Sequence, residues 1–230
     1  MKTIGLIGGM SWESSAEYYR IINQTVQERL GSLHSAQCIL FSFDFQEIER
    51  LQHQGEWEQL TGLMIRAAQS LEGAGAELLT ICTNTMHKMA EEVQTSVGIP
   101  LVHIADATAK AITDKGLEKV ALLGTRFTME EDFYKKRLQE KYRLDVIIPS
   151  ESDRELIDNV IYGELCRGVT HQSSREKFKA IIEKLASNGA EGVILGCTEI
   201  PLLISQQDAE IPLFDTTKIH AQAAVEMALQ

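Results

Sequence analysis

Two short runs hold the residues best suited to chemistry. TICTNTMH (80–87) carries Cys82, Thr83, Asn84, Thr85 and His87 behind an apolar stretch. LGCTEIPLL (195–203) carries Cys197, Thr198 and Glu199 behind another. A thiol acts as a base when its surroundings bring its pKa towards neutrality, and Glu199, two residues on, is placed to orient or deprotonate Cys197. Small hydroxyl and amide side chains and free backbone N–H groups at a helix start suit a bound carboxylate. A small carbon acid gripped by two such ends could lose a proton to one and gain a proton from the other.

The two runs are related. GAELLTICTNT (75–85) aligns without a gap on GAEGVILGCTE (189–199), which puts Thr83 on Cys197 and Cys82 on Gly196. Successive strand residues point to opposite faces. If Cys197 faces a ligand, Thr83 does too, and Cys82 turns into packing. TIGLIGGM (3–10) is echoed by KVALLGTR (119–126), and IPLV (99–102) by IPLF (211–214). Three matches in one order argue for an internal repeat.

The elements that must position these residues follow from apolar spacing. Strands are expected at 3–7, 37–43, 77–81, 99–104, 119–124, 145–149 and 192–196. Helices are expected between Gly9 and Gly31, over 57–73, 86–98, 129–142, 154–167 and 173–188, and from about 216. Short all-apolar strands alternating with helices predict an α/β fold with parallel sheets covered on both faces. The repeat makes it two similar lobes related by a pseudo-twofold, with the active site in the cleft between them.

Ligands of open parallel sheets bind beyond the carboxyl ends of the strands. Four ends stand out: GGMS (8–11), TNT (83–85), GTRFT (124–128) and CTE (197–199). They make Met10, Ser11, Asn84, Thr85, Thr125 and Thr198 candidate substrate contacts. Asn84 and Thr85 are equally suited to cap the following helix. Gly5, Gly8 and Gly9 do not form the G-x-G-x-x-G dinucleotide fingerprint, so GGM reads as a close-approach loop for a carboxylate. Arg167 is a candidate partner for a substrate side-chain carboxylate, or a solvated arginine at a helix end. Gln46 is a second candidate for that role. His87 reads as structural or as tuning the site's charge. Cys38, Cys82, Cys166, Trp12 and Trp57 are expected in packing.

The chain has 230 residues, 44% of them hydrophobic, enough for one large core or two small ones. Its net charge is −11, with 33 acidic against 22 basic residues and no basic stripe, which excludes nucleic acid as a partner. No apolar run approaches the roughly 20 residues of a membrane span. The first breaks at Gly8-Gly9, too early for a signal peptide. Four cysteines without C-x-x-C or zinc spacing point to a reduced, cytoplasmic protein with no metal site.

GLIGGMS, TNTMH and LGCTEIPLL, in this order and spacing, resemble the aspartate/glutamate racemase family over nearly the whole chain. The resemblance implies an amino-acid racemase without pyridoxal phosphate or other cofactor, working through two cysteines, and a possible homodimer. It implies chain crossings near 102 and 211, hence lobes of 1–102 plus 211–230 and of 103–210. It also implies that Cys197 takes the α-proton of the L-isomer and that Asn84 and Thr85 contact the ligand. The family pattern at the first site is Cys-Asn-Thr-x-His, and here Thr83 stands in the cysteine's place. A hydroxyl has no thiolate-like state near neutral pH. Thr83 is therefore a poor base on the D-side face, although it can deliver a proton directly or through water. The expected substrate is an acidic or other small polar amino acid. A one-cysteine decarboxylase or isomerase of the same superfamily and a non-catalytic amino-acid-binding protein stand as alternatives.

Overall fold

The computed structural model describes residues 1–230. They form two compact units, Met1–Ile104 with His220–Gln230, and Ala105–Ile219. The first contains β1 (Ile4–Gly8), α1 (Trp12–Leu30), β2 (Cys38–Ser42), α2 (Phe45–Gln54), α3 (Trp57–Gly73), β3 (Leu78–Ile81), α4 (Ala90–Thr95) and β4 (Leu101–Val102). Its four strands pair in parallel in the order β2-β1-β3-β4. The chain continues through α5 (Ile104–Thr113), β5 (Lys119–Gly124), α6 (Arg126–Glu130), α7 (Asp132–Tyr142), β6 (Asp145–Ile147) and α8 (Glu151–Gly163). It ends with α9 (Gln172–Ser187), β7 (Gly192–Gly196), β8 (Leu213–Asp215) and α10 (Thr216–Leu229). The second sheet is also parallel, in the order β6-β5-β7-β8.

The internal repeat holds residue by residue. Ile4 pairs with Leu78 as Val120 pairs with Gly192, and Leu79 with Leu101 as Val193 with Leu213. These are the positions that the gapless alignments match. The turns entering β3 and β7 agree too. Gly75 and Gly189 have φ of 98° and 91°, a region that side-chain-bearing residues rarely adopt. Glu77 N–H donates to Thr3 O and Glu191 N–H to Lys119 O, both at 2.8 Å.

Both faces of the first sheet are covered, which is why β1 and β3 are buried along their whole length. On one face Ile7, Leu79 and Ile81 pack with Ile48, Leu60 and Met64. On the other, Ile4, Leu6 and Leu78 pack with Tyr18 and Ile22 of α1 and with Ala221, Ala224, Val225 and Ala228 of α10. Helix α1 forms where Ser11 caps it by accepting from Ser14 N–H, with an apolar stripe of Tyr18, Ile21, Ile22 and Val26. In the second unit one core runs from Ala121 and Leu123 through Ile157, Phe178 and Ile182 to Val193 and Leu195.

Several expectations are corrected. The single helix over 86–98 is a 3₁₀ turn (Thr85–Met89) followed by α4. The tighter turn stacks Met86 over Met89 at a spacing of three, and both are buried. The helix over 129–142 is broken at Glu131, whose ψ of 157° is extended. Helix α2 was unanticipated because only Ile48, Leu51 and Gln52 of its ten residues are buried. The return to the first unit comes at His220, not near 211, because Leu213–Asp215 hydrogen-bond to β7. Trp12 is 68% exposed, since it opens α1 away from the buried stripe. Trp57 is half-buried, with the Lys88 ammonium 3.7 Å from its ring centroid. No helix is long and apolar enough to cross a membrane.

Candidate active site

In the first unit the chemistry-bearing residues follow β3 directly. Cys82 N–H extends the ladder to Ile7 O at 2.9 Å. Its side chain is fully buried among Leu6, Tyr18, Leu78 and Val102. Burial pushes its thiol up to about 12, which leaves it protonated and inert at neutral pH. Thr83 comes next, in the bend that follows β3, and is half-buried.

The backbone here is held by side chains from three places. Ser14 Oγ donates to the Cys82 carbonyl at 3.0 Å. His87 Nδ1 donates to the Thr83 carbonyl at 2.8 Å, while His87 Nε2 accepts from Ile104 N–H at 3.2 Å. Asn84 and Thr85, 2% and 5% exposed, follow Thr83. The Asn84 side chain does not cap the 3₁₀ turn that it precedes.

Beside them lies the loop after β1. Gly9 has φ of 84°, and a Cβ there would sit 2.3 Å from Phe43 O, so no other residue fits. Gly9 N–H donates to Ser15 Oγ at 2.7 Å, and Ser15 Oγ donates to Ser11 O at 3.0 Å. Ser11 is buried as the α1 cap. The Met10 side chain packs in the core with Ile48 and Met86.

In the second unit Cys197 follows β7 at the register position that Thr83 occupies after β3. It is 7% exposed, and its Sγ–H donates to Glu199 Oε2 at 2.9 Å. Thr198 Oγ1 donates to the same oxygen at 2.8 Å, and Glu199 is 3% exposed. Burial, then the negative charge of Glu199, then Cys166 hold the Cys197 thiol well above its ordinary value. The lowered pKa expected of a thiol that acts as a base is therefore absent. What the structure shows is a protonated thiol donating to a buried carboxylate. Thr125 caps α6 by accepting from Thr128 N–H at 3.3 Å, as Ser11 caps α1 from Ser14 N–H at the same distance. Thr216 Oγ1 donates to Leu195 O at 2.8 Å and fixes the start of α10 beside β7.

The other candidates sit further out. Gln46 is exposed, its amide 3.4 Å from Glu49 Oε2. The buried glutamine of α2 is Gln52, 4% exposed, with its amide donating to Met86 Sδ at 3.2 Å. Arg167 is exposed at the end of a 3₁₀ turn, Leu165–Arg167. Cys38 and Cys166 are half-buried. No three or more His, Cys, Asp or Glu side chains converge as a metal-ligand set. Sequence reasoning missed Ser14, Ser15 and Gln52. The S-x-x-S-S run after GGM was the available signal for the two serines, and the i, i+3, i+4 spacing of Ile48, Leu51 and Gln52 was the available signal for Gln52.

Comparison with known proteins gives a consistent result. A family model described as Asp/Glu/Hydantoin racemase matches residues 7–224. The broad specificity amino-acid racemase RacX of Bacillus subtilis (strain 168) is 22% identical over 231 residues, covering 98% of each chain. A Yersinia pestis structure assigned as an Asp/Glu racemase is 54% identical, with a TM-score of 0.94 and full coverage of both chains. The structure of an aspartate racemase homologue from Pyrococcus horikoshii OT3 is 39% identical, with a TM-score of 0.87 and full coverage of both.

Proposed function

The chain belongs to the Asp/Glu/Hydantoin racemase family of isomerases, and from that premise we propose that it is a cofactor-independent racemase of an acidic or other small polar amino acid. Cys197 is the base for the L-isomer and Thr83 serves the D-side face. The observation that carries this reading is the repeat itself. One register position bears Cys197 bonded to a buried Glu199 in one unit and Thr83 in the other.

The proton path balances. Glu199 takes the Cys197 Sγ proton, and the thiolate takes the α-proton of the L-substrate. The resulting carbanion receives a proton on its opposite face from the Thr83 hydroxyl; solvent then reprotonates the Thr83 oxygen and removes the proton left on Glu199, which restores the starting state. Burial of Cys197 and Glu199 strengthens the electrostatic interaction between them. Ser11, Asn84, Thr85, Thr125 and Thr198, all buried at strand ends, hold the substrate's polar groups. Met10 shapes the loop behind them. Arg167 and Gln46 serve as outer contacts to a side-chain carboxylate.

The test is to incubate both enantiomers of a panel of amino acids in deuterium oxide and follow them by NMR and chiral chromatography. Deuterium entering the α-position with formation of the mirror isomer is expected. Release of carbon dioxide would indicate the decarboxylase alternative, and tight binding without exchange the binding-protein alternative.

A further inference from the structure

We propose that His87 is a positioning residue for Thr83: a neutral, Nδ1-protonated imidazole that ties the Thr83 carbonyl to the Ile104 amide and so fixes where the Thr83 hydroxyl stands. The inference rests on the racemase reading for its kinetic consequence but not for its structural content.

The tautomer follows from the two partners. A carbonyl oxygen only accepts, so the ring nitrogen 2.8 Å from Thr83 O must carry a proton. A backbone amide only donates, so the nitrogen 3.2 Å from Ile104 N must present its lone pair. Both requirements are met by the neutral Nδ1–H form and by no other. The ring is 3% exposed and is flanked by the rings of His103 and His220, with centroids at 4.7 and 5.5 Å, which limits its rotation.

The second unit shows what His87 replaces. At Cys197 the equivalent carbonyl accepts from Ile200 N–H at 3.2 Å, a local backbone bond that needs no side chain. The residue aligned with His87 there is Pro201, and the one aligned with Ile104 is Thr216, whose hydroxyl goes to Leu195 O. Two different devices thus hold the same register position. The device in the first unit reaches across 17 residues, to the point where the chain passes to the second unit. Ser14 holds the preceding carbonyl, that of Cys82, from yet another element. A hydroxyl that must return a proton to carbon needs such fixing, because misplacement by about 1 Å can reduce the rate about 10²-fold.

The test compares wild type with His87→Phe, which keeps a ring without either bond, and His87→Asn, whose short amide can still donate to the Thr83 carbonyl. L-substrate in deuterium oxide gives two rates: deuterium entry into the L-isomer, which needs only the Cys197 face, and formation of D-isomer, which also needs Thr83. Expected for His87→Phe is a fall of about 10- to 10²-fold in the ratio of D-formation to exchange, with exchange itself within about threefold of wild type. His87→Asn should recover part of the ratio. A purely structural loss lowers both rates together, and that result, or an unchanged ratio in folded His87→Phe, overturns the assignment. Long-range proton–nitrogen NMR of the His87 ring in the wild-type chain provides a readout independent of activity and of variant folding. The neutral Nδ1–H pattern supports the inference, and an Nε2–H or doubly protonated ring overturns it. Absence of exchange with every amino acid would sink the racemase reading while leaving the ring spectrum to decide the role of His87.

Discussion

Replacing Glu199 by Gln should separate the acidity of Cys197 from its usefulness. The carboxylate is 3% exposed, accepts from Cys197 Sγ at 2.9 Å and is second only to burial among the causes that hold the thiol up. Glutamine keeps the shape and removes the charge. Two effects then run in opposite directions. The thiol becomes easier to ionise, because the adjacent negative charge is gone. The group that takes its proton during the reaction is gone too. A hydrogen bond to a charged group is worth about 1.5–3 kcal/mol, and about 1.4 kcal/mol is a factor of ten. Roughly 10- to 160-fold should therefore be lost from kcat/KM. Alkylation of Cys197 by iodoacetamide at fixed pH should meanwhile accelerate, since the thiolate is the nucleophile. Peptide mass spectrometry distinguishes Cys197 from the half-buried Cys38 and Cys166. Unchanged turnover, or slower alkylation of a folded variant, would refute the reasoning.

Cys197→Ser should bind ligand and fold but lose about 10²–10⁴-fold in exchange of the L-isomer, because the hydroxyl cannot replace a positioned base; activity above about a tenth of wild type counts against it. Cys82→Ala should lower stability by about 1 kcal/mol in urea unfolding, with turnover per folded molecule unchanged, and a collapse in turnover at constant stability would show that Cys82 faces the reaction. Thr83→Cys should raise racemisation by up to about 10²–10⁴-fold. Because free enantiomers are equal in energy, the gain in kcat/KM must appear from either starting isomer, and no gain in a folded variant means that the second proton comes from elsewhere. His220 is fully buried, with Nε2–H donating to Val102 O and Nδ1 accepting from Tyr18 O–H, both at 2.7 Å. Burial lowers its pKa to about 4, against about 6.5 when free. The unfolded chain therefore binds the extra proton first, so stability is full above about pH 6.5 and falls by about 3 kcal/mol as the pH drops to about 4. His220→Gln should flatten that part of the urea-derived stability profile, and an unchanged slope would locate the acid sensitivity elsewhere.

The repeat was legible in the sequence because strand pairing is itself periodic. Glycine turns, all-apolar strands and the pairs Thr83/Cys197 and Leu101/Leu213 keep one register, so aligning the halves amounts to aligning the sheets. The inward turn of Cys82 was legible too, since alternation along a strand leaves it no other face. The acidity of Cys197 was not. It depends on how deeply the side chain is buried and on a carboxylate rotated to within 2.9 Å, neither of which follows from the spacing of Gly-Cys-Thr-Glu. The same holds for the boundary at His220, which hydrogen bonds between β7 and β8 decide. It holds most clearly for His87. Its proximity to Thr83 is local and follows from four residues of spacing. Its second bond, to Ile104, exists only once β4 has paired with β3 and brought that amide within reach. Periodicity along a chain specifies which face a residue takes, whereas proton positions depend on partners that distant segments supply.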